Sequence, residues 1–426
     1  MRENLFLCIN LFPYNIPVNK KKIAVISFPG TNNEIESIRA IERAGMDPMF
    51  FKWNDDTAKL ADVDGYFIAG GFSYEDRGRA GMVAARDPLI EFIGKEAEAG
   101  KVIIGHCNGA QILIESGLIP LGNQLSMSLA RNALGEESTG FLNEWIWITP
   151  ACKNDRCAVS NWSGAMQMPI AHGEGRFTTK DKDLFDELKK NDQIAFKYCD
   201  KDGIASEDSS ITPNGSEFAI AGICNPAGNV IALMPHPERT VEGDPYFVSM
   251  KEWLEGNTSS VNAGTQSERS NEIIVNTLPE TRVEIFIENI ITNNEERTVE
   301  QAAKKTVPSI SINQLKYFAP SNKDPVEVLQ TISLFNSNKE KAYIRRGKDV
   351  FRWNADTKQE EPTNHELITP VMILRVDQPD TGASAIGGGQ TGICYACSNV
   401  SMDQIMNQKT LEIFGNPHAS TLWTLN

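Results

Sequence analysis

The sequence predicts a doubly wound, mostly parallel α/β sheet followed by a smaller α+β domain. Short apolar runs alternate with helical segments through the first 256 residues, which is the pattern of an α/β sheet. One run ends in a Gly-x-Cys-x-Gly turn, the cysteine form of the nucleophile elbow. After a polar stretch at residues 257–275 the pattern changes. With 426 residues, the chain is long enough for two or three domains.

The first elements follow from apolar runs and helix-end signals. Residues 23–28 form a continuous apolar run, typical of a strand that is buried on both faces. Asn33, followed three residues later by Glu36, predicts a capping box at the start of a helix. Gly45 is expected to end that helix, because glycine readily adopts the left-handed conformation found there.

A strand and a helix are predicted between this first helix and the turn at Cys107. Residues 66–69 predict a strand, Asp87-Pro88 predicts a helix start, and Gly100 lies just past that helix. In doubly wound sheets, ligands bind at the carboxyl ends of the strands. We therefore expect one site to gather the residues at four such ends: Pro29, Gly70, Cys107 and His236.

Residues 101–111 are the stretch around which this domain is organised. An apolar run stops at Gly105, Cys107 follows, and Gly109 opens an apolar-periodic segment. The two glycines suit a tight turn with crowded backbone. The turn would place Cys107 at a helix N-terminus, where the helix dipole favours an anion. The alternative is a buried cysteine that has no chemistry.

A second motif far downstream supplies a base and its partner. A strand-like run ends in Pro235-His236-Pro237-Glu238. The two prolines predict an extended backbone around His236, in which side chains two residues apart share a face. His236 and Glu238 would then act with Cys107 as a catalytic triad.

Five motifs follow one another in a fixed order. They are Phe-Pro-Gly-Thr-Asn at 28–32, Gly-Gly-Phe-Ser-Tyr at 70–74, Cys-Asn-Gly at 107–109, Ala-His-Gly-Glu-Gly-Arg at 171–176 and Met-Pro-His-Pro-Glu-Arg at 234–239. Together they resemble the motifs of the class I (triad) glutamine amidotransferases and, within that class, those of the glutaminase subunits of phosphoribosylformylglycinamidine synthase, an enzyme of purine synthesis, over about residues 21–256. One departure is Ala110, where the family usually carries a bulky aromatic residue.

The resemblance implies that Cys107 attacks the side-chain amide of glutamine, that His236 is the base and acid, and that Glu238 orients it. Two further sets of residues complete the predicted site. The expected oxyanion-hole donors are the backbone amides of Gly71 and Asn108. Three residues are expected to bind substrate: Gln111, one helical turn past Cys107, with His172 and Glu174 in a glycine-spaced loop. A surface turn with an internal salt bridge is the alternative for that loop. We assign no role to His106, which points away from the thiol.

The resemblance also implies partners. The ammonia would pass to a separate synthetase that converts formylglycinamide ribonucleotide to its amidine, so that the complex acts as a ligase. ATP and Mg²⁺ would bind that synthetase, and no cofactor is expected in this chain. A small bridging subunit is also known in the family. No metal site is predicted, because Cys394-x-x-Cys397 lacks the two further ligands that zinc needs.

Composition excludes several classes of partner. The formal net charge of −15, without a basic block, argues against binding to nucleic acid or to an anionic membrane. No stretch has the ~20 apolar residues of a membrane span. The eight cysteines are scattered without framework spacing, so a cytoplasmic, reducing compartment is expected.

The remaining segments are less informative. Residues 1–20 predict an N-terminal extension and residues 257–275 a linker. Residues 276–426 predict an α+β domain for complex assembly, with strands at 283–287, 309–318, 343–346, 350–353 and 367–376 and helices at 298–305, 324–335 and 402–414. Two other functions stay open: another cysteine-elbow hydrolase, such as a peptidase or deglycase, and a catalytically silent assembly scaffold.

Overall fold

The computed structural model describes residues 20–122, 124–256, 272–278, 283–363 and 371–425. The predicted extension at 1–20, apart from Lys20, and most of the predicted linker lie outside these ranges. Within them, no helix is both long enough and apolar enough to cross a bilayer.

The N-terminal domain, residues 20–256, alternates strands with helices as predicted. Its strands are β1 (Lys22–Ser27), β2 (Asp47–Lys52), β3 (Gly65–Ile68), β4 (Val102–His106), β5 (Ser128–Arg131), β6 (Ala133–Leu134), β7 (Glu137–Ser138), β8 (Leu142–Pro150), β9 (Met166–His172), β10 (Glu174–Thr178), β11 (Ile194–Cys199), β12 (Ile220–Cys224) and β13 (Val230–Leu233). Its helices are α1 (Glu34–Arg43), α2 (Pro88–Glu98), α3 (Asn108–Glu115), α4 (Lys182–Lys190) and α5 (Asp244–Leu254).

The main sheet of this domain has the order β2-β1-β3-β4-β13-β12-β11-β8-β9. The half from β2 to β13 is parallel, and the half from β13 to β9 is antiparallel. Apolar clusters cover both faces, so that Ile23 and Val25 of β1 pack on one face while Ala24 and Ile26 pack on the other. A strand that is buried on both faces needs the continuous apolar run seen in the sequence.

In the N-terminal domain, one predicted helix cap is wrong. α2 begins as expected, with the Asp87 side chain accepting a hydrogen bond from the Leu89 backbone N–H. Asn33 precedes α1, but its side chain makes no capping hydrogen bond. It contacts His236 and Arg239 instead, so the predicted capping box is absent because the side chain points into the site.

The C-terminal domain is built on a second, mostly antiparallel sheet, in the order β14-β22-β20-β21-β16-β15-β17-β18-β19. Its strands are β14 (Val275–Thr277), β15 (Val283–Asn289), β16 (Ser311–Pro320), β17 (Glu340–Arg346), β18 (Asp349–Asn354), β19 (Gln359–Pro362), β20 (Val371–Asp377), β21 (Gly389–Ser398) and β22 (Ser420–Thr424). Its helices are α6 (Asn294–Lys304), α7 (Pro325–Leu329), α8 (Met402–Ile405) and α9 (Gln408–Phe414).

Two helices of this domain are shorter than predicted. The helix expected at 324–335 ends at Leu329, and turns follow it. The helix expected at 402–414 is divided, because the Asn407 side chain caps a new helix start by accepting from Lys409 N–H. The first residues of the strand predicted at 367–376 lie outside the described ranges.

Candidate active site

The elbow around Cys107 has the predicted strand–turn–helix geometry. β4 ends at His106, α3 begins at Asn108, and Cys107 lies between them with φ 49° and ψ −107°. Such a conformation costs a non-glycine residue about 1–3 kcal/mol. A Cβ atom on Gly109 would lie 2.0 Å from the Ile68 carbonyl oxygen, and one on Gly105 would lie 2.5 Å from Gly109. Both positions therefore require glycine.

The side chains of Cys107 and His236 lie close together, with Gly70 beside both of them. Cys107 is only 4% exposed, and its Sγ lies 3.6 Å from the Ala171 carbonyl oxygen. A Cβ atom on Gly70 would lie 3.1 Å from His236 Cε1 and 3.4 Å from Cys107 Cβ. Gly70 thus leaves the gap in which the two side chains approach each other, as its place at the end of β3 predicts.

His236 and Glu238 are in contact, but the predicted extended backbone is wrong. Residues Pro237–Arg239 form one turn of 3₁₀ helix. Within this turn the His236 Nδ1 lies 2.6 Å from Glu238 Oε1. The proline that was expected to keep the chain extended is the first residue of the turn, where its fixed φ and missing N–H are tolerated.

The charges of this pair support a base with an orienting partner. Burial alone would lower the pKa of His236, but the charges of Glu238 and Cys107 beside the ring raise it to about 9. Burial alone would raise the pKa of Glu238, but His236 and His106 hold it well below its ordinary value. His236 Nδ1–H donates to the carboxylate, which leaves Nε2 for the thiol. Within the described ranges, Nε2 is a buried atom that has no hydrogen-bond partner.

His106 is a site residue that the sequence analysis missed. Its Nδ1 lies 2.7 Å from the second oxygen of Glu238, and its Nε2 lies 3.0 Å from the Tyr246 hydroxyl. The ring is fully buried, and burial lowers its pKa. A neutral ring that donates from Nδ1 and accepts at Nε2 satisfies both contacts. The alternation of side chains along β4 separated His106 from Cys107, but the sequence carried no sign that Glu238 reaches that face.

Asp76 was also missed. It ends a run of three left-handed residues, Tyr74, Glu75 and Asp76, with φ of 52°, 59° and 53°. The buried Asn108 side chain holds this turn by accepting from Ser73 N–H at 2.9 Å and donating to Asp76 Oδ1 at 3.2 Å. Burial, with Glu174 nearby, raises the pKa of Asp76 to about 7. The residue lies in a polar loop whose sequence shows no diagnostic spacing.

The predicted oxyanion-hole donors both lie next to Cys107. Gly71 lines the pocket beside Cys107, with a φ of 148°. A Cβ atom there would lie 2.7 Å from the Asn32 nitrogen, so glycine is required. Asn108 is the first residue of α3, where a backbone N–H has no acceptor within the helix. Their role as donors stays a prediction.

The predicted substrate-binding residues all line the same pocket. The Gln111 Oε1 accepts from Asn108 Nδ2 at 2.8 Å, and its Nε2 donates to the Glu174 carbonyl oxygen at 2.5 Å. The Glu174 carboxylate accepts from the Ala80 N–H at 3.0 Å. The buried His172 has its Nδ1 3.2 Å from Asn132 Oδ1. Gln111 therefore ties two pocket walls together, and binding of substrate by these residues stays a prediction.

The pocket is a cavity of about 140 Å³ beside Cys107. The rings of Phe72 and Phe141 stack at its wall, with centroids 6.3 Å apart, and are 42% and 55% exposed. The cavity is lined by Gly71, Phe72, Asp76, Cys107, Gln111, Phe141, Ala171, His172, Gly173 and Glu174. Predicted nucleophile, oxyanion-hole and substrate residues therefore meet at one end of the sheet.

The cysteine pair of the C-terminal domain is arranged differently. Cys394 and Cys397 both lie on β21, but they pack into different apolar clusters on opposite faces of the sheet. Burial raises the pKa of each thiol. In the described part of the chain, no group of three or more His, Cys, Asp or Glu side chains is arranged to hold a metal ion.

Comparison with known proteins covers the N-terminal half of the chain. The model of the CobB/CobQ-like glutamine amidotransferase domain matches residues 20–263. Phosphoribosylformylglycinamidine synthase subunit PurQ of Methanothrix thermoacetophila is 43% identical, over 51% of this chain and 86% of that protein. The PurQ subunit of Methanocaldococcus jannaschii is 40% identical, over 52% and 90%. A structure of PurLQS from Thermotoga maritima contains a chain that is 32% identical, with a TM-score of 0.44, over 55% of this chain and 99% of that one.

The chain belongs to the CobB/CobQ-like glutamine amidotransferase family. It is a glutamine amidotransferase whose nucleophile elbow and pocket lie in the matched half. The family match ends at residue 263, and the C-terminal domain lies outside it.

Proposed function

We propose that this chain is the glutaminase subunit of a phosphoribosylformylglycinamidine synthase. The names of its relatives support this function. The observation that carries the chemistry is the meeting of Cys107, His236 and Glu238 at one buried point beside a small pocket. A peptidase or deglycase would also use a cysteine elbow, but the relatives favour an amidotransferase.

The mechanism follows the triad geometry. His236 Nε2 takes the proton of Cys107, and the thiolate attacks the side-chain amide carbon of glutamine. The same nitrogen returns the proton to the departing ammonia, which leaves a γ-glutamyl thioester. Water, deprotonated by His236, then releases glutamate and restores the thiol. Such acid–base catalysis contributes roughly 10²–10⁴ to the rate.

Two sets of groups would bind the rest of the substrate. The backbone N–H groups of Gly71 and Asn108 would hold the oxyanion, and the loss of one such donor costs about 10²–10³ in turnover. Asp76 and Glu174 place two carboxylates on the pocket wall. We assign them to the α-ammonium group of glutamine, whose charge would return the pKa of Asp76 toward its ordinary value.

The proposed partner is the synthetase subunit, which would bind ATP and Mg²⁺ and use the ammonia. A small bridging subunit would complete the assembly. We place the complex in the cytoplasm. The seven cysteines in the described part of the chain are free thiols, which supports a reducing compartment.

The test is glutamate release from glutamine by the wild type, Cys107→Ala and Cys394→Ala, with and without a synthetase, formylglycinamide ribonucleotide and ATP. Cys394 is the matched control, because it is also a buried thiol. We expect release by the wild type and the control but not by Cys107→Ala. Peptide cleavage or deglycation without glutamate release would support the alternative enzymes. Release by Cys107→Ala would refute the assigned nucleophile.

A further inference from the structure

One wall of the glutaminase pocket is a loop that both domains hold. We call residues 72–86 the pocket loop. Its inner side contributes Phe72 and Asp76 to the cavity. Further along, Ala80 N–H donates to the Glu174 carboxylate at 3.0 Å. Gly81 packs so tightly on α3 that a Cβ atom would lie 2.6 Å from the Gln111 carbonyl carbon.

The outer side of the pocket loop is bound to the C-terminal domain. Arg375 of β20, only 5% exposed, donates from Nη1 to the Gly78 carbonyl oxygen at 2.6 Å. Met82 is fully buried within an apolar cluster made mostly of C-terminal residues. Arg77 donates to the Thr298 hydroxyl at 3.0 Å. These contacts lie between Asp76 and the α2 helix.

An ion pair between Arg79 and Glu115 joins the same loop to helix α3, which begins next to Cys107. Arg79 forms two hydrogen bonds with the Glu115 carboxylate, which lies at the end of α3. The guanidinium also donates to the carbonyl oxygens of Glu412 and Ile413 at the end of α9. Asn416 donates to Glu115 at 2.9 Å. The helix that begins beside Cys107 therefore ends in a cluster that needs both domains.

The loop requires such external restraint. Three consecutive non-glycine residues, ending at Asp76, have left-handed backbone, which persists only where the surroundings hold it. Gly78 and Gly81 have φ of 78° as well, and the loop's own backbone hydrogen bonds are those of short turns, such as the bond from Glu75 N–H to the Phe72 carbonyl oxygen. Arg375 binds Gly78, which lies two residues after Asp76 and two residues before Ala80 in the chain. Asp76 lines the pocket, and Ala80 N–H donates to the Glu174 carboxylate.

We propose that the C-terminal domain is a built-in part of the glutaminase site, with Arg375 as a positioning residue that fixes the pocket loop for glutamine binding. This inference rests on the proposed function. It gives the C-terminal domain a task in substrate binding, beyond the assembly role predicted from the sequence.

The test compares Arg375→Met with Arg345→Met in the full-length chain. Arg345 is the matched control, because it is equally buried in the same sheet and pairs with Glu284 within the C-terminal domain. Cys107 is labelled either with the glutamine analogue 6-diazo-5-oxo-L-norleucine, which must occupy the pocket, or with iodoacetamide, which needs only the thiol. Mass spectrometry of the Cys107 peptide gives both rates, and hydrogen exchange is measured for residues 77–86.

We expect Arg375→Met to raise the half-saturating concentration of the analogue about tenfold, since small displacements of positioned groups are costly. Iodoacetamide labelling should stay unchanged, and exchange in the pocket loop should rise. Arg345→Met should change none of these. If Arg375→Met does not fold, Met82→Ala takes its place, with the buried Met372→Ala as its control.

Equal effects of the two arginine variants, or faster loop exchange without a change in half-saturation, would overturn the inference while leaving the proposed function intact. A wild type that iodoacetamide labels but the analogue does not, both with and without the synthetase, would overturn the proposed function, and the inference with it.

Discussion

Each domain of this chain contains a buried glutamate, and the two glutamates have different neighbours. Glu284 of the C-terminal domain accepts from the Arg345 guanidinium at 2.5 Å and from the Tyr317 hydroxyl at 2.8 Å. Glu238 of the N-terminal domain lies between the imidazoles of His236 and His106. Burial and residue type are the same in both places, so neither explains why only one of the two carboxylates is predicted to take part in catalysis.

The two sites differ in whether the groups next to the glutamate can change their protonation state. A guanidinium stays charged at all ordinary pH values. An imidazole can gain or lose a proton near neutral pH. One of the imidazoles around Glu238, that of His236, lies beside Cys107, and in the described part of the chain its Nε2 has no hydrogen-bond partner. The comparison shows that Glu238, unlike Glu284, has a partner with a nitrogen atom left over for a further contact.

The largest expected effect separates the two glutamates directly. Glu238→Gln should lower the turnover of glutamine by about 10³–10⁴, because the amide no longer fixes the tautomer of His236. Glu284→Gln should leave turnover unchanged but destabilise the protein by about 3–5 kcal/mol, because Arg345 would be buried without its counter-charge. Glutamate release and urea unfolding, measured on both variants, test the pair. Loss of turnover in Glu284→Gln, with the protein still folded, would contradict the contrast.

A second effect concerns acid stability, since the N-terminal domain buries neutral histidines. Burial lowers the pKa of His172 to about 3, with a further contribution from His236. Between that value and about 6.5, the unfolded chain binds more protons, so the free energy of unfolding falls as the pH falls. The loss due to His172 should reach about 2 kcal/mol at pH 5.

Urea unfolding of the wild type and His172→Gln at pH 7 and pH 5 measures this loss. The variant should lose less stability between the two values, whatever its stability at pH 7, because glutamine does not titrate. An equal loss in both proteins would place the acid sensitivity elsewhere.

The smallest effect concerns the second imidazole. His106→Leu should lower turnover about tenfold without changing KM, because Glu238 would lose one donor and hold His236 less firmly. His106→Asn, which can still donate a hydrogen bond, should recover part of that loss. Tyr246→Phe removes only the outer contact and should have less effect than either variant. A change confined to thermal stability, with turnover unaffected, would make His106 a packing residue.

The sequence predicted the structure correctly where steric or burial constraints allow only a few residue types at a position. The elbow at Cys107 could be predicted because only glycine fits at Gly105 and Gly109, and such glycines leave a fixed spacing. The strands of the parallel half could be predicted because burial on both faces demands continuous apolar runs. The contact of His236 with Glu238 was also anticipated, although the backbone between them turns where an extended chain was expected.

Other features depended on residues that are far apart in the chain. Asn33 was expected to cap a helix, but it turns toward His236, 203 residues away. His106 meets Glu238 across 132 residues, and Arg375 meets Gly78 across 297. None of these contacts can be recognised from the spacing of residues in the sequence. A hydrogen bond between distant segments does not restrict which residue types stand next to either partner in the chain.

The sequence by itself determined the turn at Cys107, the contact of His236 with Glu238, and the existence of two differently built domains. These features rest on steric and burial constraints that act within a few residues. Only the tertiary structure decided that a second histidine contacts Glu238, that Asp76 reaches the pocket, and that the C-terminal domain contacts the pocket loop. Those features depend on how separate elements are placed in space, because the contacts that create them form only when the sheets have packed.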